Sequence, residues 1–468
     1  MDSWGSIYSV LMIAQREAII FAAVGLFIGG LDDFLIDLLF MARSVWRKIF
    51  IYSRHARMTA ATLPPSSKPG GIAIFVPAWH ESAVIGAMLR AAVRQWGTDE
   101  ACSYRIFVGA YPNDRDTISA IAAFANDCVR VQLVIHIHDG PTTKADCLNR
   151  LWQALKREEQ ATGQYYKAVV LHDAEDVVHR DELRLFDTMI DRFDMVQLPV
   201  RPLVSQQSRW IAGHYCDEFA ESHGKTLLAR EALGAAVPSA GVGCAFGRRA
   251  LNRIAHARGG SPFDPASLTE DYEIGLRIAE MNGRTVFIRM HDENGELICT
   301  KEHFPETLDT AVNQKARWFI GISLAGWDRM GWHGSWRERW MRMHDRRATL
   351  SAVILLAAYV ATLGYGVELL VGLVWGIQAP PYPPALSLCL SFTAVLMLWR
   401  LLVRAYFSGL TYGWRQGLLA IPRAVVANLI AMLAARRAVF LYIGQLRGKS
   451  LKWDKTTHRF PEVLDSAA

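Results

Sequence analysis

The chain has 468 residues, of which 51% are hydrophobic and 21% are charged, and its formal net charge is +6. Its mean hydropathy of +0.12 is high for a purely water-soluble protein, yet the charged fraction excludes a bundle lying wholly within a membrane. We therefore expect a soluble domain joined to membrane segments. The seven cysteines contain no Cys-x-x-Cys pair, which favours reduced thiols in a cytoplasmic compartment over a disulfide framework or a zinc site.

The first 61 residues are predicted to hold one transmembrane helix followed by an interfacial helix. The apolar run at 18–30 can cross a bilayer only if its helix begins near Ile7. Five basic residues between positions 43 and 57 place the far end of this segment in the cytoplasm by the positive-inside rule. Three carboxylates interrupt the run after residue 30 and indicate an amphipathic stretch on the membrane surface: Asp32, Asp33 and Asp37.

A soluble α/β domain is predicted for residues 72–345, after a linker at 62–71 that is rich in Pro, Ser and Gly. Short runs rich in β-branched residues alternate here with helix-length stretches, which implies βαβ units and a mainly parallel sheet. Ligands of such sheets bind beyond the carboxyl ends of the strands. We therefore expect the site at the polar clusters that follow the runs IAIFVPA, YRIFVGAY, RVQLVIHI and KAVVLHDA.

Residues 346–450 are predicted to return to the membrane. Two apolar runs, 349–377 and 385–407, flank the turn APPYPPA and predict a transmembrane hairpin with a short outside loop. A third run at 417–443 is punctuated by arginines, which predicts an interfacial helix at the cytoplasmic face, with a third span as the alternative. Residues 451–468 would form a cytoplasmic tail.

Carboxylates follow the strand KAVVL in the stretch HDAED. Asp173 and Glu175 leave the strand at positions i and i+2, where they can converge on a hard divalent cation that bridges a diphosphate. Taken alone, the stretch is equally well interpreted as a solvated acidic turn. Whether Asp176 would share the cation stays open.

Polar residues also follow the first two strands and begin a helix. Pro77 and Glu81 end the first strand, and Asp114 ends the second. Lys144 stands at a helix start, where backbone N–H groups and an ammonium can meet phosphate. His80 is best interpreted as a turn residue, and Lys144 alone would suit a solvated helix start.

Two further motifs have both a chemical and a plain interpretation. Gly241 and Gly243 predict a turn where the backbone approaches another group closely, although tight packing explains them equally well. Thr269, Glu270 and Asp271 begin a helix, where acids are favoured by the helix dipole. The chemical interpretation of these acids is a general base for an incoming hydroxyl.

The motif Gln314-x-x-Arg317-Trp318 comes just before the chain returns to the membrane. Arginine can pair with phosphate oxygens, and tryptophan offers a flat face to a sugar ring. A Trp/Arg pair at a membrane interface is the alternative, since several further tryptophans follow.

In this order the motifs resemble those of the processive family 2 membrane glycosyltransferases, which include cellulose and hyaluronan synthases. The resemblance covers nearly the whole chain. The stretches QLPVRPL, AGHYCDEFAESHGK, REALGAAVPSAGVGCAF and WDKTTHRFP resemble a narrower subgroup, the bacterial inner-membrane glycosyltransferases of a phage-adsorption and exopolysaccharide system. The resemblance implies a GT-A fold, a UDP-sugar donor such as a UDP-N-acetylhexosamine, and Mg²⁺ or Mn²⁺ as cofactor.

The resemblance also implies a role for each matching residue. Asp271 would be the base with Glu270 beside it, and Asp173 and Glu175 would hold the metal. His80 departs from the family's usual Asn, and Glu175 from its second Asp. The acceptor would contact Gly241, Gly243 and Trp318. The donor would be bound by Pro77, Ala78, Glu81, Asp114, Lys144, Asp173, Gln314, Arg317 and Trp318.

The implied partners are a polysaccharide acceptor and membrane lipid, with no nucleic acid. The implied location is the bacterial inner membrane, crossed several times, with a cytoplasmic catalytic domain. The resemblance allows an export partner in the outer membrane or periplasm and a separate subunit carrying cyclic di-GMP control. The alternatives are transfer of one sugar to a polyprenyl phosphate, which Gln-x-x-Arg-Trp argues against, and an idle membrane receptor or scaffold. Intact Asp173, Asp271 and Arg317 argue against the idle protein, because clustered charges are costly to keep.

Overall fold

The computed structural model describes residues 2–97, 103–376, 381–448 and 460, and for residues 2–9 and 11 it describes the backbone alone. The strands in this part of the chain are β1 (Gly71–Pro77), β2 (Tyr104–Ala110), β3 (Val131–Ile135), β4 (Tyr166–Leu171), β5 (Met195–Gln197), β6 (Val200–Pro202), β7 (Cys244–Gly247), β8 (Thr285–Phe287) and β9 (Thr300–Glu302).

The helices of the first two thirds are α1 (Asp2–Trp46), α2 (Ile85–Trp96), α3 (Arg115–Asp127), α4 (Lys144–Thr162), α5 (Glu182–Ile190), α6 (Ile211–Glu221), α7 (Leu227–Leu233), α8 (Arg248–Ala257) and α9 (Glu270–Glu280). The later helices are α10 (Leu308–Trp318), α11 (Ala325–Met330), α12 (Trp336–Arg346), α13 (Ala348–Trp375), α14 (Pro384–Tyr412) and α15 (Trp414–Leu446). Three segments are π-helical: Arg47–Ile51, Ser222–Thr226 and Phe319–Leu324.

The main sheet has seven strands in the order β3-β2-β1-β4-β7-β5-β8, and β6 pairs with β9 in a small separate sheet. Only β7 runs antiparallel to its neighbours β4 and β5 within the main sheet. The prediction of a mainly parallel sheet is confirmed. Because β7 is reversed, its first residue, Cys244, pairs with the last residue of β4, Leu171. The loop before β7 therefore lies at the same edge as the acidic loop after β4.

Strand β1 shows why the sheet is covered on both faces. All seven of its residues are buried. Ile72, Ile74 and Val76 join a core cluster with α2, whereas Ala73 and Phe75 join a second cluster with α4 and α8. Alternate side chains of a strand point to opposite faces, so a continuous apolar run marks a strand between two helical layers.

The predicted linker lies against the catalytic domain. Ser66 and Ser67 donate hydrogen bonds to the carboxylate of Asp191, at 2.7 to 3.0 Å. Leu63 is buried in the core cluster that contains α2. The segment therefore fixes where the membrane region joins the domain.

In the part of the chain that the structure describes, four helices are long and apolar enough, by length and composition, to cross a membrane: Met12–Ile51 within α1 and its π-helical end, α13, α14 and α15. The predicted hairpin runs match α13 and α14, while residues 377–380 of their loop lie outside the described residues. Helix α15 also packs along the catalytic domain. Its Ile430 and Ala434 are buried in clusters with residues of α6 and α10. Its length and composition also allow a span, so the interfacial position of α15 stays a prediction.

The N-terminal helix differs from its prediction. We expected a transmembrane helix and a separate interfacial stretch, but α1 continues without a break past the three aspartates. Asp32 lies 2.7 Å from His344 and 3.0 Å from Arg347, and Asp33 pairs with Arg347 and Arg400. Partnered carboxylates need no exposure to water, so the helix has no reason to end at them.

Candidate active site

A cavity opens at the carboxyl edge of the sheet, between the start of α4, the start of α9 and helix α10. Lys144 is the first residue of α4, whose Thr143 cap accepts a hydrogen bond from the Asp146 backbone N–H. The Lys144 ammonium lies 2.6 Å from the Asp173 carboxylate. Burial acts to lower the pKa of Lys144, but Asp173 and then Glu270 and Asp271 outweigh it and raise this pKa. The ammonium of Lys144 therefore lies among three acids of the cavity: Asp173, Glu270 and Asp271.

The two acids at the start of α9 are partly or fully buried in this cavity. Burial, and then the charge of Asp271, raise the pKa of Glu270 to about 7. Burial also raises the pKa of Asp271, against the opposing charges of Lys144 and Arg317. The Asp271 carboxylate accepts a hydrogen bond from the Tyr272 backbone N–H at 2.7 Å. A carboxylate whose pKa is raised toward neutrality is suited to take a proton.

The third acid of the helix start has another role. Glu273 accepts hydrogen bonds from Ser267 at 2.7 Å and from Arg329. Glu273 therefore anchors the loop before α9, and the pair left facing the cavity is the predicted one, Glu270 and Asp271.

The first glycine of the Gly-x-Gly motif lies close to the Asp271 carboxylate. Gly241 has φ +81°, and a Cβ added there would collide with the Asp271 carboxylate. Gly243 has φ +55°, and a Cβ there would collide with the Thr300 hydroxyl. Both the backbone angle and the close approach require glycine. The contact observed is with Asp271, while the predicted contact with acceptor remains a prediction.

Helix α10 forms the opposite wall. Gln314, Arg317 and Trp318 all line the cavity, as the sequence predicted. Gln314 Oε1 and Arg317 Nε are buried polar atoms for which the described residues provide no hydrogen-bond partner. Buried polar groups are normally paired, so these atoms are available to a bound ligand.

An aromatic wall completes the cavity. Phe219 of α6 and Phe304 line it together with Trp318, and the rings of Phe219 and Phe304 lie 4.8 Å apart. Tyr215 packs edge-on against Trp318 with ring centroids 6.0 Å apart. Sequence reasoning found Trp318 but did not assign the two phenylalanines to the site: Phe219 lies on α6, and Phe304 lies between β9 and α10.

Four predicted donor-binding residues lie at the ends of β1 and β2 rather than in the cavity lining. Pro77 and Ala78 are buried at the end of β1, and the Glu81 backbone N–H donates to the Thr117 hydroxyl at 3.0 Å. Asp114 accepts a hydrogen bond from the His80 backbone N–H at 2.6 Å. Asp114 thus joins the two strand ends, and its predicted contact with the nucleoside stays a prediction.

The acidic loop after β4 divides into two parts. Asp173 faces the cavity, whereas Asp176 lies beneath it and is 2.8 Å from the buried His172 ring. His172 also contacts Glu182 at 2.8 Å. Burial acts to lower the pKa of His172, but Glu182 and Asp176 raise it to about 10. Asp176 therefore shapes the loop, and Glu175 is buried beside it without lining the cavity.

Glu302 is a cavity residue that sequence reasoning missed. It ends β9 and lines the cavity beside Asp173. Burial, and then the charges of Asp176, Glu175 and Asp173, raise the pKa of Glu302 well above its ordinary value. The only signal in the sequence is an acid after a short strand, in CTKEH.

The donor set fits a hard divalent cation. Asp173, Glu302 and the nearby Glu175 supply carboxylate oxygens, the ligands that Mg²⁺ and Mn²⁺ prefer. Burial, and then the charges of Asp176, Glu175 and Asp173, raise the pKa of Glu302. A cation bound here would relieve the repulsion among these acids. In the described residues, the ligand atoms of Asp173, Glu175 and Glu302 do not all lie within 4.8 Å of one another. Two groups that meet this distance have basic neighbours: Asp32, Asp33 and His344, and His179, Asp292 and Glu296.

Comparison with known proteins assigns this site to a family. A family model described as glycosyltransferase like family 2 matches residues 69–321. The chain belongs to this family. The sequence predictions of a family 2 glycosyltransferase and of a GT-A fold are therefore confirmed, and the residues that line the cavity belong to a nucleotide-sugar transferase domain.

Two relatives extend the similarity over nearly the whole chain. This chain is 36% identical over 490 aligned residues to bacteriophage adsorption protein B of Escherichia coli K12 and to bacteriophage N4 adsorption protein B of Escherichia coli O157:H7. The alignments cover 99% of this chain and 64% of each relative, so the chain spans less than two thirds of their length. The predicted resemblance to the phage-adsorption subgroup is confirmed.

A solved structure shares the fold. A mannosyltransferase from Pyrobaculum calidifontis, in complex with GDP-Man and Mn²⁺, matches with a TM-score of 0.53 at 16% identity. The match covers 89% of this chain and 99% of the mannosyltransferase chain. It therefore includes helices outside the catalytic domain.

Proposed function

We propose that this protein is an inverting, metal-dependent glycosyltransferase that transfers a sugar from a UDP-sugar to a growing polysaccharide. One observation carries the proposal. A single cavity brings together Lys144, Asp173, Asp271, Arg317 and Trp318, which lie on four separate elements. This set supplies what the reaction needs: cations for a diphosphate, carboxylates for a metal and a base, and a flat ring for a sugar.

The donor half of the site is the Lys144 side. Lys144 and Arg317 would contact the diphosphate, because both cations line the cavity and Arg317 retains an unpartnered Nε. Asp173, Glu302 and Glu175 would hold Mg²⁺ or Mn²⁺. When bound, the cation neutralises charge on the departing diphosphate. Lys144 would then exchange part of its contact with Asp173 for the phosphate oxygens.

The acceptor half is the Asp271 side. An acceptor hydroxyl is a weak nucleophile, and inversion by one displacement needs a base on the face opposite the leaving group. We assign this role to Asp271, and the assignment is supported by its place in the cavity beside Glu270 and by the space that Gly241 leaves for its carboxylate. Trp318, with Phe219 and Phe304, would stack against the acceptor sugar.

The membrane helices set where the reaction occurs. We infer that α1, α13 and α14 cross the bacterial inner membrane, that α15 lies at its cytoplasmic face, and that the catalytic domain is cytoplasmic. The basic residues after α1 support this orientation. The packing of α15 along α6 and α10 supports its interfacial position. The polymer would then be made beside the helices through which it could be exported.

A donor screen tests the proposal. Purified full-length protein in lipid nanodiscs is incubated with individual UDP-sugars, the UDP-N-acetylhexosamines first, and with GDP-mannose, because the solved mannosyltransferase carries that donor. Nucleoside-diphosphate release is measured with Mg²⁺, Mn²⁺ or EDTA. We expect release with one UDP-sugar, loss of it in EDTA, and loss in Asp173→Ala and Glu175→Ala.

The matched control is Glu293→Gln, which changes an acid that is 62% exposed at its side chain. It should keep full turnover. Full activity of Asp173→Ala in EDTA would overturn the metal assignment. Labelled product that extracts into organic solvent instead of remaining with polymer would replace the polysaccharide acceptor with a polyprenyl phosphate.

A further inference from the structure

Helix α6 carries the stretch AGHYCDEF, and one face of this helix contacts α10. Glu218 forms an ion pair with Lys315, the residue that follows Gln314 in the motif. The Lys315 ammonium also lies 5.3 Å above the Tyr215 ring, and Tyr215 packs against Trp318. Burial acts to raise the pKa of Glu218, but Lys315 outweighs it and lowers this pKa, which reflects a close pair.

The neighbouring face of α6 contacts α14 and α15 of the membrane region. Asp217 accepts hydrogen bonds from Arg423 of α15 at 2.8 Å and from Ser408 of α14 at 2.9 Å. Asp217 and Arg423 are 1% and 2% exposed, so this pair is fully enclosed. Gly213, one turn earlier, lets Arg423 lie against the helix, because a Cβ there would meet the guanidinium.

A second ion-pair network on the same face reaches α1. Glu221 lies 2.9 Å from Lys225 and 3.3 Å from Arg404 of α14. Lys225 in turn pairs with Asp37 of α1. Asp217 and Glu221 are four residues apart and therefore share one stripe of α6, while Tyr215 and Glu218 occupy the adjoining stripe.

We propose that α6 is a positioning element, in which Asp217 fixes the helix to the membrane region and Glu218 fixes α10 to the helix. The placement of Gln314, Arg317 and Trp318 then depends on α14 and α15. Loss of one partner of a buried ion pair leaves an uncompensated charge, which is energetically costly. A shift of α14 or α15 would therefore move α6 with it, and α6 would in turn move α10. The inference concerns the arrangement of helices and holds whichever sugar is transferred.

Hydrogen–deuterium exchange tests this without any substrate. Full-length wild type and Asp217→Asn, each in lipid nanodiscs, are compared for exchange in peptides covering 308–324. Asp217→Asn keeps the size of the side chain and a polar partner for Ser408 but removes the charge. We expect exchange in α10 to become faster by roughly 2- to 30-fold, the range over which changes in a coupled network act.

Arg253→Gln is the matched control, since it breaks an ion pair with Asp194 whose arginine is 48% exposed at its side chain. It should leave exchange in 308–324 unchanged. If Asp217→Asn alters exchange only in α6, α14 and α15, the coupling through α6 is refuted.

A charge exchange tests the second contact. Glu218→Lys and Lys315→Glu should each speed exchange in α10, and the double variant should restore most of the protection. With the donor found by the screen, the single variants should lower kcat/KM and the double variant should restore most of it, because α10 carries Arg317 and Trp318 of the cavity. A double variant as unprotected as the single ones would overturn the proposal, even if no donor had been found.

Discussion

The assignment of the reaction depends most strongly on Asp271. Asp271→Asn keeps the size and a hydrogen-bonding group but cannot take a proton. We expect kcat to fall by about 10²- to 10⁴-fold, the usual effect of removing a general base. UDP binding, measured by calorimetry, should change little, because Lys144 and Arg317 remain. Glu270→Gln should be milder, since it removes only the neighbour of the base.

Two results would contradict this assignment. Near wild-type turnover by Asp271→Asn would reduce Asp271 to a residue that stabilises the start of α9. Loss of UDP binding in the same variant would move both acids to the donor half of the cavity.

The raised pKa values of Glu270 and Asp271 predict how the rate depends on pH. Because the pKa of Glu270 is raised to about 7, the pair holds a proton below that pH and cannot act fully as a base. We expect kcat to rise as pH increases through about 7 and then to level off. In Glu270→Gln the repulsion is gone, so the rise should move to lower pH. A profile identical in the two proteins would exclude coupling between these acids.

At the scale of elements, the loop before β7 allows a test that separates two effects. One is the effect of backbone strain on stability, and the other is the effect of a displaced Asp271 on kcat. Gly241→Ala introduces a Cβ at φ +81° against the Asp271 carboxylate. Gly259→Ala introduces one at φ +80° where nothing lies within 4 Å. Both should lose about 1–2 kcal/mol of unfolding free energy from left-handed strain. Only Gly241→Ala should lower kcat, because only it displaces Asp271.

Thermal unfolding and turnover of the two alanine variants show whether Gly241 acts through backbone conformation or through the position of Asp271. Equal turnover would mean that Gly241 matters for backbone conformation alone. A much larger stability loss in Gly259→Ala would show that the strain at the two sites is not comparable.

Local sequence patterns were sufficient for most elements of the catalytic domain. The apolar runs identified β1, β2 and β4, because strands buried on both faces carry little polar alternation. The run also identified β3, although this strand lies at the edge of the sheet and is only partly buried. The motifs identified Lys144, Asp173, Asp271 and Arg317 as neighbours. These residues follow strand ends or begin helices at one edge of the sheet, so topology brings them together.

Contacts between distant parts of the chain were beyond sequence reasoning. Glu302 is the last residue of a three-residue strand, which is too short to show a periodicity. Phe219 reaches the cavity from α6, which no motif marked as part of the site. The continuity of α1 depends on partners such as Arg347 and Arg400, and unpartnered aspartates in an apolar run indicate a helix end.

The orientation of the whole molecule can be tested with fusions. A reporter placed after Ala468 should behave as cytoplasmic, and one inserted in the turn at 379–384 should behave as periplasmic. Alkaline phosphatase and green fluorescent protein, active on opposite sides of the membrane, give complementary readouts. A periplasmic C-terminus would mean that α15 crosses the membrane, and the reverse pattern at both sites would separate the catalytic domain from cytoplasmic nucleotide sugars.

The paired aspartates of α1 have a consequence for biosynthesis. Asp32 precedes its partner His344 by 312 residues, and Asp33 precedes Arg400 by 367 residues. The ribosome therefore delivers three acidic groups near the bilayer long before their counter-charges exist. Domains generally fold as they emerge, so the catalytic domain forms while α1 is still without its final neighbours. The membrane part can then be completed only after the catalytic domain has been synthesised, and a nascent chain halted before Arg400 would expose charged α1 to quality-control proteases.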